Sequence, residues 1–313
     1  MPVINVGNLS VGGTGKTPHV EYLIRLLKDH IQLATLSRGY GRQTKGFIIA
    51  DRQSSAATIG DEPMQFYRKF SSQIQVVVGE KRVAAINQLI RKYPQTEIII
   101  LDDAFQHRSV IPSFSILLSD YNRPFYKDYI LPAGRLRESR KGAFRADVII
   151  VSKCPQGMHI TECEAITHQI RQYSREDTPV FFTHIQYGQP LPYHTHTTFA
   201  SRILLVSGLA NTKPLEEYVA CTYQLMHHII FKDHHLYTRQ DVSDMQKKLE
   251  QYQAEVILTT EKDYVKLMQD GFEDLVARLP FFYLPIEVCF LFGQKEDFNK
   301  NLWKAINHKK TNY

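Results

Sequence analysis

The fold of this chain is decided by Ser10-Val-Gly-Gly-Thr-Gly-Lys-Thr17. A short apolar run of strand type, residues 2–6, stands directly before this stretch. In the segment 18–27 that follows, Pro18 suits a first helical turn, and apolar residues recur at i, i+3, i+4 and i+7, the spacing of one helix face. A glycine-rich turn between a buried strand and an amphipathic helix presents backbone N–H groups and a helix N-terminus to phosphate oxygens. The sequence therefore predicts a phosphate-binding loop.

This loop matches the P-loop pattern G-x-x-x-x-G-K-[ST] except at the first position, where Ser10 replaces glycine. The Lys16 ammonium can reach the β- and γ-phosphates of a nucleotide, and the Thr17 hydroxyl can ligate Mg²⁺. A glycine-rich turn that binds nothing is the alternative, but the strand and helix on either side favour nucleotide binding. The residues assigned to the nucleotide are Ser10, Val11, Gly12, Gly13, Thr14, Gly15, Lys16 and Thr17.

Apolar runs alternate with helical segments along the first half of the chain. Further strands are predicted at residues 33–36, 47–50, 75–78, 97–101, 114–118 and 148–151, with helices at 64–69 and 82–92. This alternation predicts an α/β fold of the P-loop NTPase type, a mainly parallel sheet with helices on both faces.

A second, smaller α/β unit begins near residue 202. Strands are predicted at 203–206, 228–231 and 256–258, and helices at 214–226 and 240–252. We divide the chain into a nucleotide-binding catalytic domain (1–185), a linker (186–201) and a smaller domain that closes over the site (202–313). A strand-like run at 281–292 precedes a last helix at 298–308, and the sequence leaves open whether that helix returns to the first domain.

Composition restricts the partners without choosing among them. Lys and Arg outnumber Asp and Glu by 38 to 32, a net charge of +6 that fits an anionic partner such as a nucleotide, a phospholipid surface or nucleic acid. Four scattered cysteines form neither a zinc pattern nor a disulfide framework, which favours a reducing cytosol. No apolar run approaches the roughly 18 residues of a spanning helix. We expect a soluble or at most peripheral protein.

An apolar strand with an acidic end, the form expected of a second phosphate-site element, lies downstream of the loop at Glu97-Ile-Ile-Ile-Leu-Asp-Asp103. Asp102 is predicted to hold Mg²⁺, directly or through water. Asp103 lies on the opposite side of the chain, so it is assigned a different, catalytic role. A buried strand with a polar end is the alternative.

Seven segments occur in one order along the chain and together resemble the tetraacyldisaccharide 4'-kinase family of lipid A synthesis, over residues 2 to about 267. Two departures from the family pattern are Ala104, where glycine is usual, and Arg135, where proline or another uncharged residue is common. The segments are Asn8-Leu-Ser-Val-Gly-Gly-Thr-Gly-Lys-Thr-Pro18, Leu36-Ser-Arg-Gly-Tyr-Gly-Arg42, Gly60-Asp-Glu-Pro63, Leu101-Asp-Asp-Ala-Phe-Gln-His107, Leu131-Pro-Ala-Gly-Arg-Leu-Arg-Glu138, Asp233-His234 and Thr260-Glu-Lys-Asp263.

The resemblance implies a chemistry and a catalytic pair. The reaction would be ATP-dependent phosphorylation of the 4'-hydroxyl of a tetraacyl glucosamine disaccharide 1-phosphate. Asp61 would be the base, Glu62 a ligand of the metal, and His234 the partner of Asp61, with His235 a near-equal rival by spacing. A helix N-cap is the alternative reading of Gly60-Asp-Glu-Pro63.

The resemblance also implies substrate contacts. They are assigned to Arg38, His107, Arg137 and Glu138, while Lys16 joins Asp61, Asp103 and His234 in the catalytic set. Five basic residues between 135 and 145 predict a rim for anionic lipid headgroups, or alternatively a solvated helix face.

Family members usually begin with an apolar N-terminal helix, and only Met1 stands before Pro2 in this sequence. The alternatives are a truncated start or another lipid-binding surface. By resemblance, the partners are a lipid A disaccharide precursor and the cytoplasmic face of the inner membrane, with no nucleic acid.

Two other functions compete with the lipid kinase. The loop also suits a P-loop switch or partitioning ATPase, which would hydrolyse nucleotide without lipid. A nucleic-acid-binding protein ranks last, because the aromatic residues do not interleave with a basic groove motif. Guanine recognition is not expected, since Pro155 in Ser152-Lys-Cys-Pro155 stands where the [NT]-K-x-D motif needs a carboxylate.

Overall fold

The computed structural model describes residues 1–194, 198–268 and 272–310, which form two sheets. Strands β1–β14 and helices α1–α10 are numbered in chain order. The larger sheet contains β1 (Val3–Asn8), β2 (Leu33–Ser37), β3 (Ile48–Ile49), β4 (Ile74–Val78), β5 (Ile98–Asp102), β6 (Phe114–Asp120), β7 (Val148–Ser152), β8 (Val180–Tyr187) and β14 (Ile286–Phe290). The smaller sheet contains β9 (Leu191–Pro192), β10 (Arg202–Ser207), β11 (Gln224–Ile230), β12 (Val256–Thr260) and β13 (Phe281–Leu284).

Both sheets are mainly parallel. The larger has the order β14-β8-β7-β6-β1-β5-β2-β4-β3, with antiparallel pairing between β3 and β4 and between β8 and β14 at its edges. The smaller has the order β11-β10-β12-β13-β9, with β9 antiparallel to β13. The helices are α1 (Lys16–Leu27), α2 (Ala56–Ile59), α3 (Asp61–Phe70), α4 (Arg82–Lys92), α5 (Ile160–Arg171), α6 (Lys213–Thr222), α7 (Arg239–Gln251), α8 (Glu261–Leu267), α9 (Glu273–Val276) and α10 (Lys295–Lys310).

Apolar cores cover both faces of the larger sheet, as β5 shows. Successive strand residues point to opposite faces. Ile98 and Ile100 therefore pack into a core shared with α1, α3 and α10, whereas Ile99 and Leu101 pack into a core shared with α4. The predicted mainly parallel sheet with helices on both faces is confirmed.

The connection between the two sheets is more regular than the sequence indicates. The predicted linker, 186–201, includes the end of β8 and all of β9, while residues 195–197 lie outside the described ranges. Alternation in β8 is obscured because its residues 181–184 are all buried. The predicted division at residues 185 and 202 stays a prediction.

Two predicted elements differ in bounds in a way that changes the topology. The helix predicted over 214–226 ends at Thr222, because the backbone of Tyr223 is extended, and β11 begins at Gln224. The strand-like run 281–292 is two strands in different sheets, β13 and β14, separated by Pro285. Helix α10 then packs on the larger sheet through Phe298 and Leu302.

The topology gathers the loops that follow the parallel strands at one edge of the larger sheet, where ligands bind in open α/β folds. The phosphate loop follows β1 there, and Asp102 ends β5. Among the helices of the described ranges, none is both long and apolar enough to cross a membrane.

Candidate active site

The phosphate loop connects β1 to α1 with the backbone shape that its glycines allow. Gly12 and Gly15 have φ values of 113° and 80°, where a side chain would introduce strain. Gly15 is the residue before α1, so the free N–H groups of the first helical turn adjoin the loop. Asn8 donates a hydrogen bond to the Thr14 hydroxyl at 2.8 Å and fixes the strand end against the loop.

Three side chains beneath the loop hold its carbonyl groups. Nδ1–H of His19 donates to the Gly15 carbonyl at 2.7 Å, and burial lowers the pKa of this histidine to about 4, so its ring stays neutral at pH 7. The Ser152 hydroxyl donates to the Thr14 carbonyl at 2.8 Å. The Lys153 ammonium donates to the Gly13 carbonyl and pairs with an acid at the end of β6. The loop is therefore held in shape by one side chain of α1 and by two at the end of β7.

The two carboxylates after β5 differ in surroundings. Asp102 is buried, and its Oδ1 has no hydrogen-bond partner among the residues that the structure describes. Burial raises the pKa of Asp102 to about 7, although Lys16 opposes this effect. Asp103 has φ 51°, and its carboxylate accepts hydrogen bonds of 2.7 and 3.2 Å from Arg137 and lies 3.7 Å from Nζ of Lys16. Burial raises the pKa of Asp103, but Lys16 and Arg137 lower it by more, so the carboxyl is ionised at neutral pH.

Three side chains predicted to bind magnesium carry the oxygen donors that this ion prefers. The unpartnered Oδ1 of Asp102 is the orphaned acceptor that a cation would satisfy. The negative charge of Glu62 adds to the rise in the pKa of Asp102. Thr17 is the second residue of α1, the helix that follows the loop. Within the described residues, no cluster of three or more His, Cys, Asp or Glu could hold a metal, and such a sparse set suits Mg²⁺, which keeps several waters.

Asp61 and His234 meet across the two sheets. Asp61 is the first residue of α3, while His234 lies between β11 and α7 with φ 60°. Nδ1–H of His234 donates to Oδ2 of Asp61 at 3.1 Å, although the two residues are 173 positions apart in the chain. Burial raises the pKa of Asp61, but this hydrogen bond and the charge of Lys266 lower it by more, so Asp61 is ionised at neutral pH.

The rival histidine points elsewhere. Nε2–H of His235 donates to Oδ2 of Asp241 at 3.1 Å. Its ring stacks on Phe231 with centroids 4.4 Å apart. Asp241 also accepts a hydrogen bond from the backbone N–H of Thr238 at the start of α7, so His235 fixes that helix terminus. Only His234 of this pair contacts Asp61.

Two lysines of α8 lie in the cluster that Asp61 and His234 form. Neither lysine was predicted as a site residue from the sequence. The Lys262 ammonium lies 2.9 Å from Asp233 and 3.8 Å from Glu62, and it donates to Nε2 of His234 at 3.4 Å. Lys266 lies 3.3 Å from Oδ2 of Asp61. The available signal was their spacing of four residues in and after Thr260-Glu-Lys-Asp263, which places both lysines on one helix face.

The residues assigned to substrate divide into two groups. Glu138 is held by Gln106 and Arg108 at 3.0 Å each and by Arg145 at 2.8 Å. Arg137 is engaged by Asp103. These ion pairs use part of the predicted basic rim internally.

Arg38 is exposed and His107 is half-buried. Burial lowers the pKa of His107, and the positive charges of Arg82 and Arg38 lower it further. Arg82, which sequence reasoning missed, is 2% exposed, donates to the Gly79 carbonyl, and has Nε and Nη2 without partners in the described part of the chain. Its charge also acts on Asp102. The sequence signal for Arg82 was a charged residue at a position on the buried face of α4.

Comparisons with known proteins point to one family. The family model described as tetraacyldisaccharide-1-P 4'-kinase matches residues 1–307. A tetraacyldisaccharide 4'-kinase of Flavobacterium psychrophilum is 42% identical over 317 residues, which cover 100% of this chain and 89% of that relative. A tetraacyldisaccharide 4'-kinase of Bacteroides thetaiotaomicron is 41% identical, and the match covers 96% of this chain and 83% of that relative. The crystal structure of LpxK from Aquifex aeolicus in complex with ATP is similar, with a TM-score of 0.72, 28% identity and coverage of 98% of this chain and 89% of that one.

Proposed function

The chain belongs to the tetraacyldisaccharide-1-P 4'-kinase family, and on that premise we propose that it transfers the γ-phosphoryl group of ATP to the 4'-hydroxyl of a tetraacyl glucosamine disaccharide 1-phosphate, a step of lipid A synthesis. The observation that carries the proposal is the contact between Asp61 and His234 at 3.1 Å. A base that accepts a hydroxyl proton is what an alcohol kinase adds to a nucleotide site.

A residue of the chain is assigned to each part of the phosphoryl transfer. Asp61 accepts the proton of the 4'-hydroxyl while the oxygen of that hydroxyl attacks the γ-phosphorus, and ADP leaves. His234 donates to Oδ2 of Asp61 and thereby orients the carboxylate. Lys16 stabilises the charge on the transferred phosphoryl group, and Asp103 positions Lys16 through their ion pair.

Nucleotide and metal would be held by the phosphate loop and its neighbours. Ser10–Thr17 would surround the phosphates of ATP with backbone N–H groups. Thr17, Glu62 and Asp102 would hold Mg²⁺, which neutralises phosphate charge when bound. The orphaned Oδ1 of Asp102 supports this assignment.

The acceptor would enter between the two sheets. The part of the chain from 202 onward would close over the domain formed by residues 1–185, because Asp61 begins α3 and His234 follows β11 of the smaller sheet. Arg38 and His107 offer accessible positive charge or hydrogen bonds to the sugar and its 1-phosphate. Arg137 and Glu138 would fix the adjacent rim through their ion pairs.

We further propose peripheral contact with the cytoplasmic face of the inner membrane. Tyr129, Ile130 and Leu131 are consecutive and 65%, 50% and 51% exposed. Exposed Arg135 lies in the same loop, and its carbonyl accepts a hydrogen bond from Val11 of the phosphate loop at 2.8 Å. Apolar side chains beside a cation favour an anionic lipid surface.

The test is a transfer assay with labelled ATP and the disaccharide 1-phosphate in detergent. The parent protein should label the lipid. Lys16→Ala should lower the rate of transfer far more than tenfold, where tenfold corresponds to about 1.4 kcal/mol of transition-state stabilisation. Hydrolysis of ATP by the parent without transfer to lipid would instead favour the switch ATPase.

A further inference from the structure

Helix α8 of the smaller sheet packs against α3 of the catalytic domain and brings a buried lysine to the proposed base. Lys266 is 2% exposed. Its ammonium lies 3.3 Å from Oδ2 of Asp61. Among the described residues it has no hydrogen-bond acceptor. The ion pair with Asp61 is thus the contact that compensates its burial.

A buried ammonium needs a reason beyond packing. Removing such a charge from water is costly, and an apolar side chain of similar volume packs two helices at least as well. Lys262, one turn earlier on α8, also faces the N-terminus of α3, where it lies 3.8 Å from Glu62. The charged face of α8 is therefore directed at the two carboxylates that begin α3.

The geometry of the Asp61 carboxylate gives Lys266 a specific task. Both Lys266 and His234 approach the same oxygen, Oδ2, at 3.3 and 3.1 Å. Two cationic or donor groups on one oxygen fix the rotation of the carboxylate about its χ angles. The second oxygen, Oδ1, is not part of either contact.

We propose that Lys266 is a positioning residue of the phosphoryl transfer, which fixes Oδ2 of Asp61 together with His234 so that Oδ1 faces the acceptor hydroxyl. This inference rests on the proposed function. It assigns to the smaller sheet two of the groups that orient the base, one before α7 and one on α8. The base is then correctly oriented only when α8 is docked on α3.

The alternative is that Lys266 serves only to dock the two helices. Other contacts already do so: Lys69 pairs with Glu261 at 2.5 Å, and the Arg68 guanidinium donates to the Met268 carbonyl and lies over the Tyr264 ring. Arg68 is a matched control, because it is a cation at the same interface and no contact joins it to Asp61 in the described structure.

The experiment compares Lys266→Met, Lys266→Arg and Arg68→Met in the full chain. The measurements are kcat and the KM for ATP with the disaccharide 1-phosphate, together with the midpoint of thermal unfolding. Lys266→Met should lower kcat about a hundredfold, the loss expected from a misplaced catalytic group, and leave the KM for ATP within about twofold. Lys266→Arg, which keeps the cation, should retain at least about a tenth of the parent kcat, and Arg68→Met should stay within about threefold.

The outcomes separate the inference from the proposed function. Absence of lipid phosphorylation by the parent would overturn both. A parent that phosphorylates the lipid, with Lys266→Met within about threefold of its kcat, would overturn only the inference. Equal losses in Lys266→Met and Arg68→Met that follow their unfolding midpoints would also overturn it, because docking would then explain both.

Discussion

At the scale of single residues, two adjacent carboxyls illustrate how surroundings divide roles. Burial raises the pKa of Asp102 to about 7, while Lys16 and Arg137 outweigh burial and lower that of Asp103. Asp103 has a positive φ, and its carboxylate accepts a hydrogen bond from Arg137. Sequence alone indicated different roles for the pair, but the environments that distinguish them come from β1, α1 and the loop before residue 138.

Exchanging the proposed base should affect chemistry far more than nucleotide binding. Asp61→Asn keeps the size of the side chain but removes the proton acceptor, so kcat should fall about a hundred- to ten-thousandfold while the KM for ATP is nearly unchanged. Steady-state kinetics at saturating Mg²⁺ would measure both. If Asp61→Asn kept near-parent activity and Glu62→Gln lost it, Glu62 would be the base and Asp61 the metal ligand.

The proposed metal ligand should behave differently. Asp102→Asn removes the charge of a buried group whose Oδ1 lacks a partner in the described structure. We expect a lower rate together with a higher Mg²⁺ concentration for half-maximal activity, because a carboxylate is a stronger magnesium ligand than an amide. A titration of activity with Mg²⁺ would measure the shift. An unchanged Mg²⁺ requirement in an otherwise folded variant would contradict the assignment.

At the scale of elements, the loop after the 3-10 helix Phe125–Lys127 deserves a test as a lipid contact. Tyr129 and Leu131 bond to the backbone of Leu136, and Arg135 and Arg137 bond to the backbone of the phosphate-loop region. Each of these is a backbone hydrogen bond, so the loop is held beside the nucleotide site. Its apolar side chains remain exposed.

Removing those side chains should weaken membrane binding. The double variant Ile130→Ser/Leu131→Ser should bind vesicles of phosphatidylglycerol about thirtyfold more weakly, since each of the two lost contacts contributes on the order of 1 kcal/mol. Cosedimentation would measure binding. Ile111→Ser is the matched control, because Ile111 is 87% exposed and precedes β6, away from the edge where the phosphate loop lies. Equal binding by the parent and the double variant would remove this loop from the proposal.

Elements with local signals were predictable. The phosphate loop, α1 and the buried strands of the larger sheet follow from residue patterns within each segment, and α4 has the bounds 82–92 that its sequence predicts. The run 281–292 could not be divided by periodicity, because its apolar character continues while the chain leaves one sheet and enters another. Which sheet a strand joins depends on partners distant in sequence.

At the scale of the whole molecule, the candidate site depends on contacts that no local pattern contains. Resemblance to a family placed Asp61 with His234, whereas the sequence could not choose between His234 and His235. Lys262 and Lys266 could not be assigned because their partners lie about 200 residues earlier, at the start of α3. The burial of these charges marks them as candidate site residues, and it exists only when the two sheets are docked.

The central claim is that Asp61 at the start of α3 and His234 after β11 act as one catalytic unit, and a double-mutant cycle on kcat tests it most directly. Asp61→Asn, His234→Ala and the double variant would be assayed with ATP and the disaccharide 1-phosphate. Residues that act as a unit give strongly non-additive losses, so we predict a double variant within about threefold of the slower single variant. Losses that multiply would show that the two residues act independently and would contradict the account.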